Sequence, residues 1–309
     1  SWNKIPNAKN KNDKDFVSVI VACRNEEGNI ANLIQQIKTQ NFDKERFELI
    51  VVNDHSEDAT LQIIERESRH WGNLTIVCMN EGEEGKKKAI EKGILFAKGD
   101  IILCTDADCS VEKNWIATII HYFADENIKM LSAPVVFLSK RGIFQQLQSL
   151  EFLSLIGSGA AAIGRGKSIF CNGANLAYRK SVFLEVNSFD NNIASGDDVF
   201  LMHQIKQKYA NGIAFAKQKE AIVKTSSQPN ISAFINQRKR WAAKSGSYKD
   251  WDTIVISILV FLMNISITTL FVLSLFNMQW LEVFLTLFLV KYIADYLFLL
   301  PVLKFFRKR

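Results

Sequence analysis

Hydrophobic and polar positions alternate regularly along the first third of the chain. Short, almost continuous apolar runs predict strands at residues 16–23, 47–52, 74–79 and 101–105. Between them, apolar residues recur at helical spacing in residues 30–39, 59–69 and 87–97. Buried strands that alternate with amphipathic helices indicate βαβ units and a parallel sheet covered on both faces. We therefore predict an α/β fold with a mostly parallel, doubly wound sheet for the N-terminal half.

The C-terminal part of the chain has a different pattern. Residues 254–276 contain no charged side chain, and 23 residues are long enough to cross about 30 Å of hydrocarbon. A second, less uniform apolar run covers residues 280–306. Basic residues flank both outer ends of the two runs: Arg238, Lys239, Arg240 and Lys244 on one side, and Lys304, Arg307, Lys308 and Arg309 on the other. By the positive-inside rule, this pattern predicts a multi-pass membrane protein with at least two spans and a cytoplasmic globular domain.

Lys291 and Asp295 lie one helical turn apart inside the second apolar run. A single charge at the centre of a membrane costs about 2.5 to 3.5 kcal/mol on an insertion scale. We expect the pair to face another helix in this chain, in a second copy of a homo-oligomer, or in helices outside this sequence. A role in a substrate pathway is the alternative interpretation.

Three regions follow from these patterns: a polar N-terminal segment at residues 1–15, a globular domain at 16–250 and a membrane hairpin at 251–309. Within the domain, residues 141–170 are apolar and then rich in Gly and Ala. They fit a helix at the bilayer surface and an ordinary helix that covers the core equally well. Because Ser1 is not Met, we also expect that a segment upstream was removed.

Composition and charge narrow the class of protein. The chain has 309 residues, of which 48% are hydrophobic, and only 4 Pro, which excludes collagen-like and disordered proteins. With 38 basic and 32 acidic residues the charges are too balanced for a nucleic-acid groove. Five cysteines in mostly apolar surroundings predict buried thiols instead of disulfides, and four widely separated histidines give little support for zinc.

Polar clusters follow three of the predicted strands, at residues 24–27, 53–56 and 106–108. In parallel sheets, ligands bind beyond the carboxyl ends of the strands. Asp106 and Asp108 have the oxygen ligands that a hard divalent cation prefers, although aspartates are also common in ordinary loops. Asp54 is suited to accept a hydrogen bond from a nucleotide base, whereas capping of the next helix explains Asp54 and Asp58 without a ligand. No dinucleotide or P-loop fingerprint is present.

Two further motifs occur in the second half of the globular domain. Asp197 and Asp198 precede an apolar run, so they mark a helix start or supply a general base that takes a hydroxyl proton. Gln237, Arg240 and Trp241 are three and four residues apart and share one helix face. A juxtamembrane basic helix that binds anionic lipid is the alternative for this second motif.

The order of these motifs resembles the membrane-bound family 2 glycosyltransferases. A strand-end Asp, an Asp-x-Asp, a Gly-Asp-Asp and a Gln-x-x-Arg-Trp follow one another between about residues 17 and 241, before the membrane spans. Asp-x-Asp alone is unspecific, but the four motifs in this order are distinctive. The resemblance implies a glycosyltransferase-A fold and an inverting transfer from a nucleotide-diphosphate sugar, usually a UDP-sugar.

The resemblance also implies roles for individual residues. On the donor side, Asp54 resembles the carboxylate that binds uracil. Asn25 and Glu26 resemble residues next to the nucleotide, and Lys86 is similar to a family lysine near the base. Asp108 is similar to the ligand of Mg²⁺ or Mn²⁺ on the diphosphate, with Asp106 assisting it near the ribose.

On the acceptor side, Asp198 resembles the catalytic base, and Asp197 stands where the family often has Glu. Gln237, Arg240 and Trp241 resemble the motif that clamps the diphosphate and lines the acceptor opening. Residues 172–175 resemble, more loosely, a loop that flanks the donor sugar.

We therefore expect a cytoplasmic-leaflet transferase that glycosylates a lipid or lipid-linked acceptor. A processive polysaccharide synthase shares the Gln-x-x-Arg-Trp motif, but two spans are few for a polymer channel. A non-catalytic nucleotide-sugar-binding scaffold is the alternative from another class. A metal-dependent nucleotidyltransferase would leave the Gln-x-x-Arg-Trp helix unexplained.

Overall fold

The structure is a computed structural model that describes residues 2–6, 8, 12, 14–138, 142–187, 197–246 and 248–306. The flanking basic residues Arg307, Lys308 and Arg309 lie outside this described part.

A seven-stranded mixed sheet forms the centre of the globular domain. Its strands are ordered β3-β2-β1-β4-β7-β5-β8, and β7 runs antiparallel to both of its neighbours. A parallel pair, β6 and β9, forms a second small sheet. The strands are β1 Val17–Cys23, β2 Phe47–Asn53, β3 Leu74–Cys78, β4 Ile101–Asp106, β5 Met130–Ser132, β6 Val135–Phe137, β7 Leu176–Arg179, β8 Ile213–Phe215 and β9 Val223–Thr225.

Helices connect the strands and form the C-terminal hairpin. They are α1 Ile30–Lys38, α2 Thr60–Ser68, α3 Lys86–Phe96, α4 Trp115–Ile120, α5 Ile143–Ile163, α6 Lys180–Asn187, α7 Asp197–Lys208, α8 Ile231–Ser245, α9 Trp251–Phe276 and α10 Gln279–Phe306. The four predicted strands and three predicted helices of the first third are all present. The prediction of a mostly parallel, doubly wound sheet is confirmed.

The core lies on both faces of the parallel strands. All seven residues of β2 are buried, as are six of the seven in β1, which explains why these strands are almost continuously apolar. The segment that leads into β4 passes close to β1: the Gly99 amide donates to Ser18 Oγ at 2.8 Å. A Cβ at Gly99 would lie 2.5 Å from the backbone nitrogen of Ser18. Glycine is therefore required for β4 to align beside β1.

The apolar segment at residues 141–170 forms the 21-residue helix α5. From Phe152 onward it covers the core, with Phe152, Ile156, Ala160 and Ile163 buried. Its first half exposes Ile143, Leu147 and Leu150, which lie on one helix face. The core-covering interpretation thus holds from Phe152 onward, and a bilayer-surface role for the exposed face of the first two turns stays a prediction.

The hairpin helices α9 and α10 are both long and apolar enough to cross a membrane, and none of their most apolar 18-residue windows is buried. The hairpin attaches to the globular domain near the end of α10. Val302 is fully buried, and a Cβ at Gly157 of α5 would lie 2.9 Å from its Cγ2. The absence of a side chain at Gly157 therefore permits the close approach of α10.

Lys291 and Asp295 form an ion pair with each other on α10, and the Asp295 side chain is 56% exposed. No described helix of this chain therefore covers Asp295. The expectation that a second copy or further helices pack there stays a prediction.

Of the five cysteines, Cys23, Cys104, Cys109 and Cys171 are buried, and all five are free thiols. The prediction of buried thiols fails only for Cys78, which is exposed at the end of the edge strand β3.

Candidate functional site

Three neighbouring strands end at the same edge of the sheet. Cys23 at the end of β1 pairs with Asn53 of β2, and Ala22 pairs with Asp106 of β4. The chain adds β2 and β3 on one side of β1 and then returns to add β4 on the other side, so the strand order reverses at β1. Such a switch point opens a crevice beyond the strand ends. The predicted donor-site residues lie on the loops and strand ends that border this crevice.

Asp54 follows β2 and is only 5% exposed. Its Oδ2 accepts a hydrogen bond from the Gly85 amide at 2.9 Å, and His55 Nδ1 lies 3.1 Å from its Oδ1. Asp58, in contrast, accepts from the amide of Thr60, the first residue of α2, at 3.0 Å. The helix-capping interpretation therefore applies to Asp58, while Asp54 orders the turn that leads into α3.

Asn25 and Glu26 begin the loop after β1. Asn25 adopts a left-handed conformation with φ of 58°, its amide donates to Ser56 Oγ at 3.1 Å, and its Oδ1 accepts from the Glu57 amide at 2.8 Å. These bonds join the loops that follow β1 and β2. Asn25 thus shapes the crevice, whereas the carboxylate of Glu26 adds charge to it.

Asp106, Asp108 and Glu26 share one electrostatic environment. Burial raises the pKa of Asp108, and the charge of Asp106 raises it further. Burial likewise raises the pKa of Glu26; the hydrogen bond from Asn29 opposes this shift, and the charges of Asp108 and Asp106 add to it. The crevice therefore concentrates negative charge that a bound cation would relieve.

The donor set fits a hard divalent cation that takes most of its ligands from a substrate. Asp108 Oδ2 accepts a hydrogen bond from Thr225 Oγ1 at 3.0 Å, and Asp106 pairs with Lys86. No group of three or more His, Cys, Asp or Glu side chains suited to a metal occurs within the described residues. Two carboxylates with open coordination positions suit Mg²⁺ or Mn²⁺ bound together with phosphate oxygens.

Lys86, the first residue of α3, links this carboxylate group to Asp198. Burial lowers the pKa of Lys86, but its ion pair with Asp106 and a smaller contribution from Asp198 raise it well above the ordinary value. The charge of Asp198 is therefore felt in the same crevice as Asp106.

Asp198 is the second residue of α7, and both of its carboxylate oxygens are held. Oδ2 accepts from the Gly173 amide at 2.8 Å and Oδ1 from the Val199 amide at 2.9 Å. Asp198 therefore lies at a helix start, as one of the two interpretations predicted. The loop before β7 also fixes the orientation of its carboxylate. Asp197 begins the helix, and its side chain lies outside the described part.

Gln237 and Trp241 of α8 both contact Arg238, which lies between them in sequence. The Arg238 guanidinium is 4.2 Å from the Trp241 ring centroid, and its Nη1 donates to Gln237 Oε1 at 2.8 Å. Arg238 also pairs with Glu151 of α5. Arg240 is exposed. Of the predicted trio, Trp241 therefore lies near Phe152 of α5, Gln237 contacts Arg238, and Arg240 stays open to solvent.

Sequence reasoning missed Thr225; it included Gly173 only as part of the loop at residues 172–175, without its contact to Asp198, and it treated Arg238 only as a flanking basic residue. A Thr in a short strand and a Gly in a loop carry no local signal of their partners, which are 117 and 25 residues away. Asn175, in the loop predicted to flank the donor sugar, is fully buried. Its amide Nδ2 donates to the carbonyls of Pro134 and Ala221 at 2.8 and 2.7 Å, so Asn175 has a structural role.

Residues 18–186 match the family described as Glycosyl transferase family 2, which is more than half of the 309 residues. The chain belongs to this family. The match includes Asp54, Asp106 and Asp108, whereas Asp198 and α8 lie beyond it.

Two curated relatives are similar to this family 2 chain. Glycosyltransferase AglE of Haloferax volcanii is 28% identical over 192 residues, which cover 60% of the chain and 59% of the relative. A poly-beta-1,6-N-acetyl-D-glucosamine synthase of Staphylococcus aureus is 26% identical over 203 residues, which cover 64% of the chain and 47% of the relative. The matched region thus spans about half the length of these relatives.

Solved structures agree with the fold. The mannosyltransferase PcManGT of Pyrobaculum calidifontis, in complex with GDP-Man and Mn²⁺, superposes with a TM-score of 0.59 at 20% identity, covering 77% of this chain and 65% of that one. TarS residues 1–349 of S. aureus gives 0.53 at 22% identity, covering 77% and 67%. These similarities support the glycosyltransferase-A fold.

Proposed function

We propose that the chain is a membrane-anchored, metal-dependent, inverting transferase. It moves a sugar from a nucleotide-diphosphate donor, most readily a UDP-sugar, to a hydroxyl of a lipid or lipid-linked acceptor at the cytoplasmic leaflet. One observation carries the proposal. Lys86, at the switch point of the sheet, pairs with Asp106 and is also within electrostatic reach of Asp108 and Asp198.

On the donor side, Asp54 receives the base, since it is buried at the strand end and already accepts from an N–H donor, Gly85. Asp108 and Asp106 would hold the Mg²⁺ or Mn²⁺ ion. When bound, the cation supplies positive charge beside the diphosphate as the leaving group becomes more negative. Lys86 remains protonated because of its raised pKa and adds a second positive charge.

On the acceptor side, Asp198 takes the proton of the acceptor hydroxyl. The hydroxyl oxygen forms a bond to the anomeric carbon, and the bond from that carbon to the diphosphate oxygen breaks with its electron pair leaving on the diphosphate. One displacement inverts the anomeric centre. The amides of Gly173 and Val199 hold the carboxylate in a fixed orientation before the acceptor arrives.

The ligands of two similar structures support the class of donor. PcManGT is in complex with GDP-Man and Mn²⁺, and TarS residues 1–349 has also been solved with UDP-GlcNAc at a TM-score of 0.52. Both ligands are nucleotide-diphosphate sugars. The base and the sugar of the natural donor are therefore the variables to screen.

Support for the membrane position comes from the hairpin and from α5. The contact between Gly157 and Val302 lies about one turn from the end of α10, so α5 is near the depth of the membrane surface. The exposed residues Ile143, Leu147 and Leu150 on α5 would then enter the headgroup region. The acceptor would reach Asp198 from the same side.

A donor screen in lipid nanodiscs tests the function. We expect release of a nucleoside diphosphate from one UDP- or GDP-sugar in the presence of Mn²⁺ and a lipid extract, and loss of release with EDTA. Asp108→Asn should lower this activity at least about a hundredfold. Absence of transfer from every donor, or full activity with EDTA, would contradict the proposal.

The similarity to a poly-N-acetylglucosamine synthase favours a second candidate, a processive synthase. Mass spectra of the product separate the two, because a single transfer adds one sugar and a processive reaction gives a ladder. A non-catalytic scaffold would bind the donor in the same assay but release no diphosphate.

A further inference from the structure

Helix α7 is held at both of its ends. Near its start, Asp198 accepts the Gly173 amide. Eight residues later, Lys206 Nζ donates to Asp250 Oδ1 and to Asp252 Oδ2, both at 2.8 Å. At about 1.5 Å rise per residue the two anchoring points are roughly 12 Å apart along one rigid helix. Asp250 caps α9, and Asp252 lies in its first turn.

The Lys206 ion pairs are shielded from water. The side chains of Lys206 and Asp250 are only 18% and 15% exposed. Lys167 Nζ donates to the other oxygen of Asp252 at 3.0 Å, so that carboxylate is bound from two sides. Exposed ion pairs are held weakly, but removing one partner of a shielded pair leaves an uncompensated charge.

A second layer of contacts surrounds these ion pairs. His203 Nε2 donates to Thr253 Oγ1 at 3.1 Å, and Thr253 Oγ1 donates to Asp250 Oδ2 at 2.9 Å. The ring of Tyr248 packs edge-on against Phe200 and His203, with centroids 5.2 and 5.4 Å apart. We call Lys206, Asp250, Asp252, His203 and Thr253 the α7–α9 clasp.

The neighbourhood of the α7–α9 clasp extends to the candidate base. Burial raises the pKa of the Tyr248 phenol to about 12, and the charges of Asp198 and Cys171 add to this shift. Because Phe200 is two residues from Asp198 and His203 belongs to the clasp, the Tyr248 ring contacts both neighbourhoods along α7. A movement of α9 relative to the globular domain would act on this whole face of the helix.

We infer that Lys206 is a positioning residue that fixes Asp198 by tying α7 to the start of the first hairpin helix. Seating of α9 in the bilayer then sets the base relative to an acceptor that arrives from the membrane. The inference rests on the proposed role of Asp198 as the base. Lys206 itself does not touch the reacting atoms.

Three variants test this role in nanodiscs. Lys206→Met removes the charge, Lys206→Arg retains it, and Lys208→Met is the matched control, since Lys208 lies on the same helix but pairs with Glu185 at the surface. We expect Lys206→Met to lower kcat about tenfold or more while donor KM and donor affinity stay unchanged, because a small misplacement of the base is costly. Lys206→Arg should recover most of kcat, and Lys208→Met should equal the unaltered protein.

The ratio of kcat in nanodiscs to kcat in detergent micelles is a further measurement, and simple destabilisation of the protein would not change it. In the unaltered protein, kcat should differ several-fold between nanodiscs and detergent micelles, because the clasp transmits the seating of α9. In Lys206→Met the two values should be equal. Unchanged kcat in Lys206→Met, or equal losses in kcat and donor affinity, would overturn the inference.

Two further measurements test the role of Lys206 if Lys206→Met does not fold or if no donor is turned over. If Lys206→Met does not fold, Asp250→Asn, which keeps the contact with Thr253, decides by the same kcat criterion. If no donor is turned over, the proposed function fails, and spin labels decide on the clasp alone. Labels at Gln207→Cys and Val255→Cys, with the exposed Cys78 replaced by Ser, should give one narrow distance that broadens in Lys206→Met, and an unchanged distribution would refute the clasp.

Discussion

Different interactions fix the two sides of the crevice: the proposed donor side, which contains Asp54 and Asp106, and the proposed membrane side, which contains Asp198 and Trp241. Asp54 and Asp106 lie at the ends of β2 and β4, which flank β1 in a register fixed by backbone hydrogen bonds. Asp198 and Trp241 lie on helices fixed by side-chain partners far away in sequence, such as Lys206 with Asp250 and Arg238 with Glu151. The sheet thus gives the donor side its geometry, whereas individual ion pairs give the membrane side its geometry.

This difference has a functional consequence. Substitutions on the donor side should change binding of the nucleotide without moving the strands. Substitutions on the membrane side should change turnover, and single side chains there should matter even when they do not touch a substrate.

The largest effect is expected for Asp198→Asn. The amide cannot take the hydroxyl proton, and loss of a positioned general base costs about a thousandfold in rate. Because Asn retains an oxygen that can accept the Gly173 amide, donor affinity should remain within about twofold, as measured by calorimetry with the nucleoside diphosphate. Near-normal kcat in this variant would remove Asp198 from the mechanism and leave the donor side unaffected.

A smaller effect is expected at the donor side for Asp54→Asn. Replacing the carboxylate removes one charged acceptor for the base, so affinity for the donor should fall about tenfold with little change in kcat. Asp58→Asn is the matched control, because Asp58 accepts amides of the loop and of α2 instead of facing the crevice. Equal losses of affinity in the two variants would indicate that Asp54 acts only on the structure of the loop.

Sequence patterns predicted where the residues of the proposed donor side lie, because one physical rule determines their position. A run such as β2 must be apolar along its whole length to be buried on both faces, so its end and the polar residue that follows are visible in the sequence. The sheet then brings Asp54, Asp106 and Asp108 to one edge without further information.

The membrane side was less predictable because its contacts depend on tertiary structure. Nothing in the local pattern of Lys206 identifies Asp250 as its partner, 44 residues away. Helical spacing placed Gln237, Arg240 and Trp241 on one face, but it did not identify Arg238 as the residue that Gln237 and Trp241 contact. Helix α5 was ambiguous for a similar reason, since its two halves have different surroundings.

The two neighbouring arginines of α8 offer a contrast within the membrane side. Arg240→Met should lower transfer about threefold to tenfold without changing Tm, because an exposed guanidinium is free to contact the diphosphate. Arg238→Met should instead reduce the free energy of unfolding by about 1 to 2 kcal/mol, since it loses the stacking on Trp241 and the pair with Glu151. Parallel measurements of transfer rate and thermal unfolding distinguish the two residues, and a reversed pattern would exchange their assigned roles.

The smallest effect concerns the thermal stability of the protein without metal, which the repulsion between Asp106 and Asp108 lowers. Burial and Asp106 raise the pKa of Asp108 above its ordinary value of 3.8. A carboxyl group whose pKa is higher in the folded state binds more protons there, so stability falls as pH rises through the interval from 3.8 to the folded value. Asp108→Asn avoids this loss and should raise Tm by about 2 °C at pH 7 in EDTA, with the gain vanishing near pH 3.

Addition of Mn²⁺ with a nucleoside diphosphate should make the Tm of the unaltered protein higher than the Tm of Asp108→Asn. The unaltered protein gains stability from ligand binding, whereas the Asn variant gains much less. The donor side would then be a region in which a metal site is retained at a cost in stability, unlike the α7–α9 clasp, where the charges are already paired. A Tm for Asp108→Asn that is lower than that of the unaltered protein in EDTA at pH 7 would show instead that its hydrogen bond with Thr225 outweighs the repulsion from Asp106.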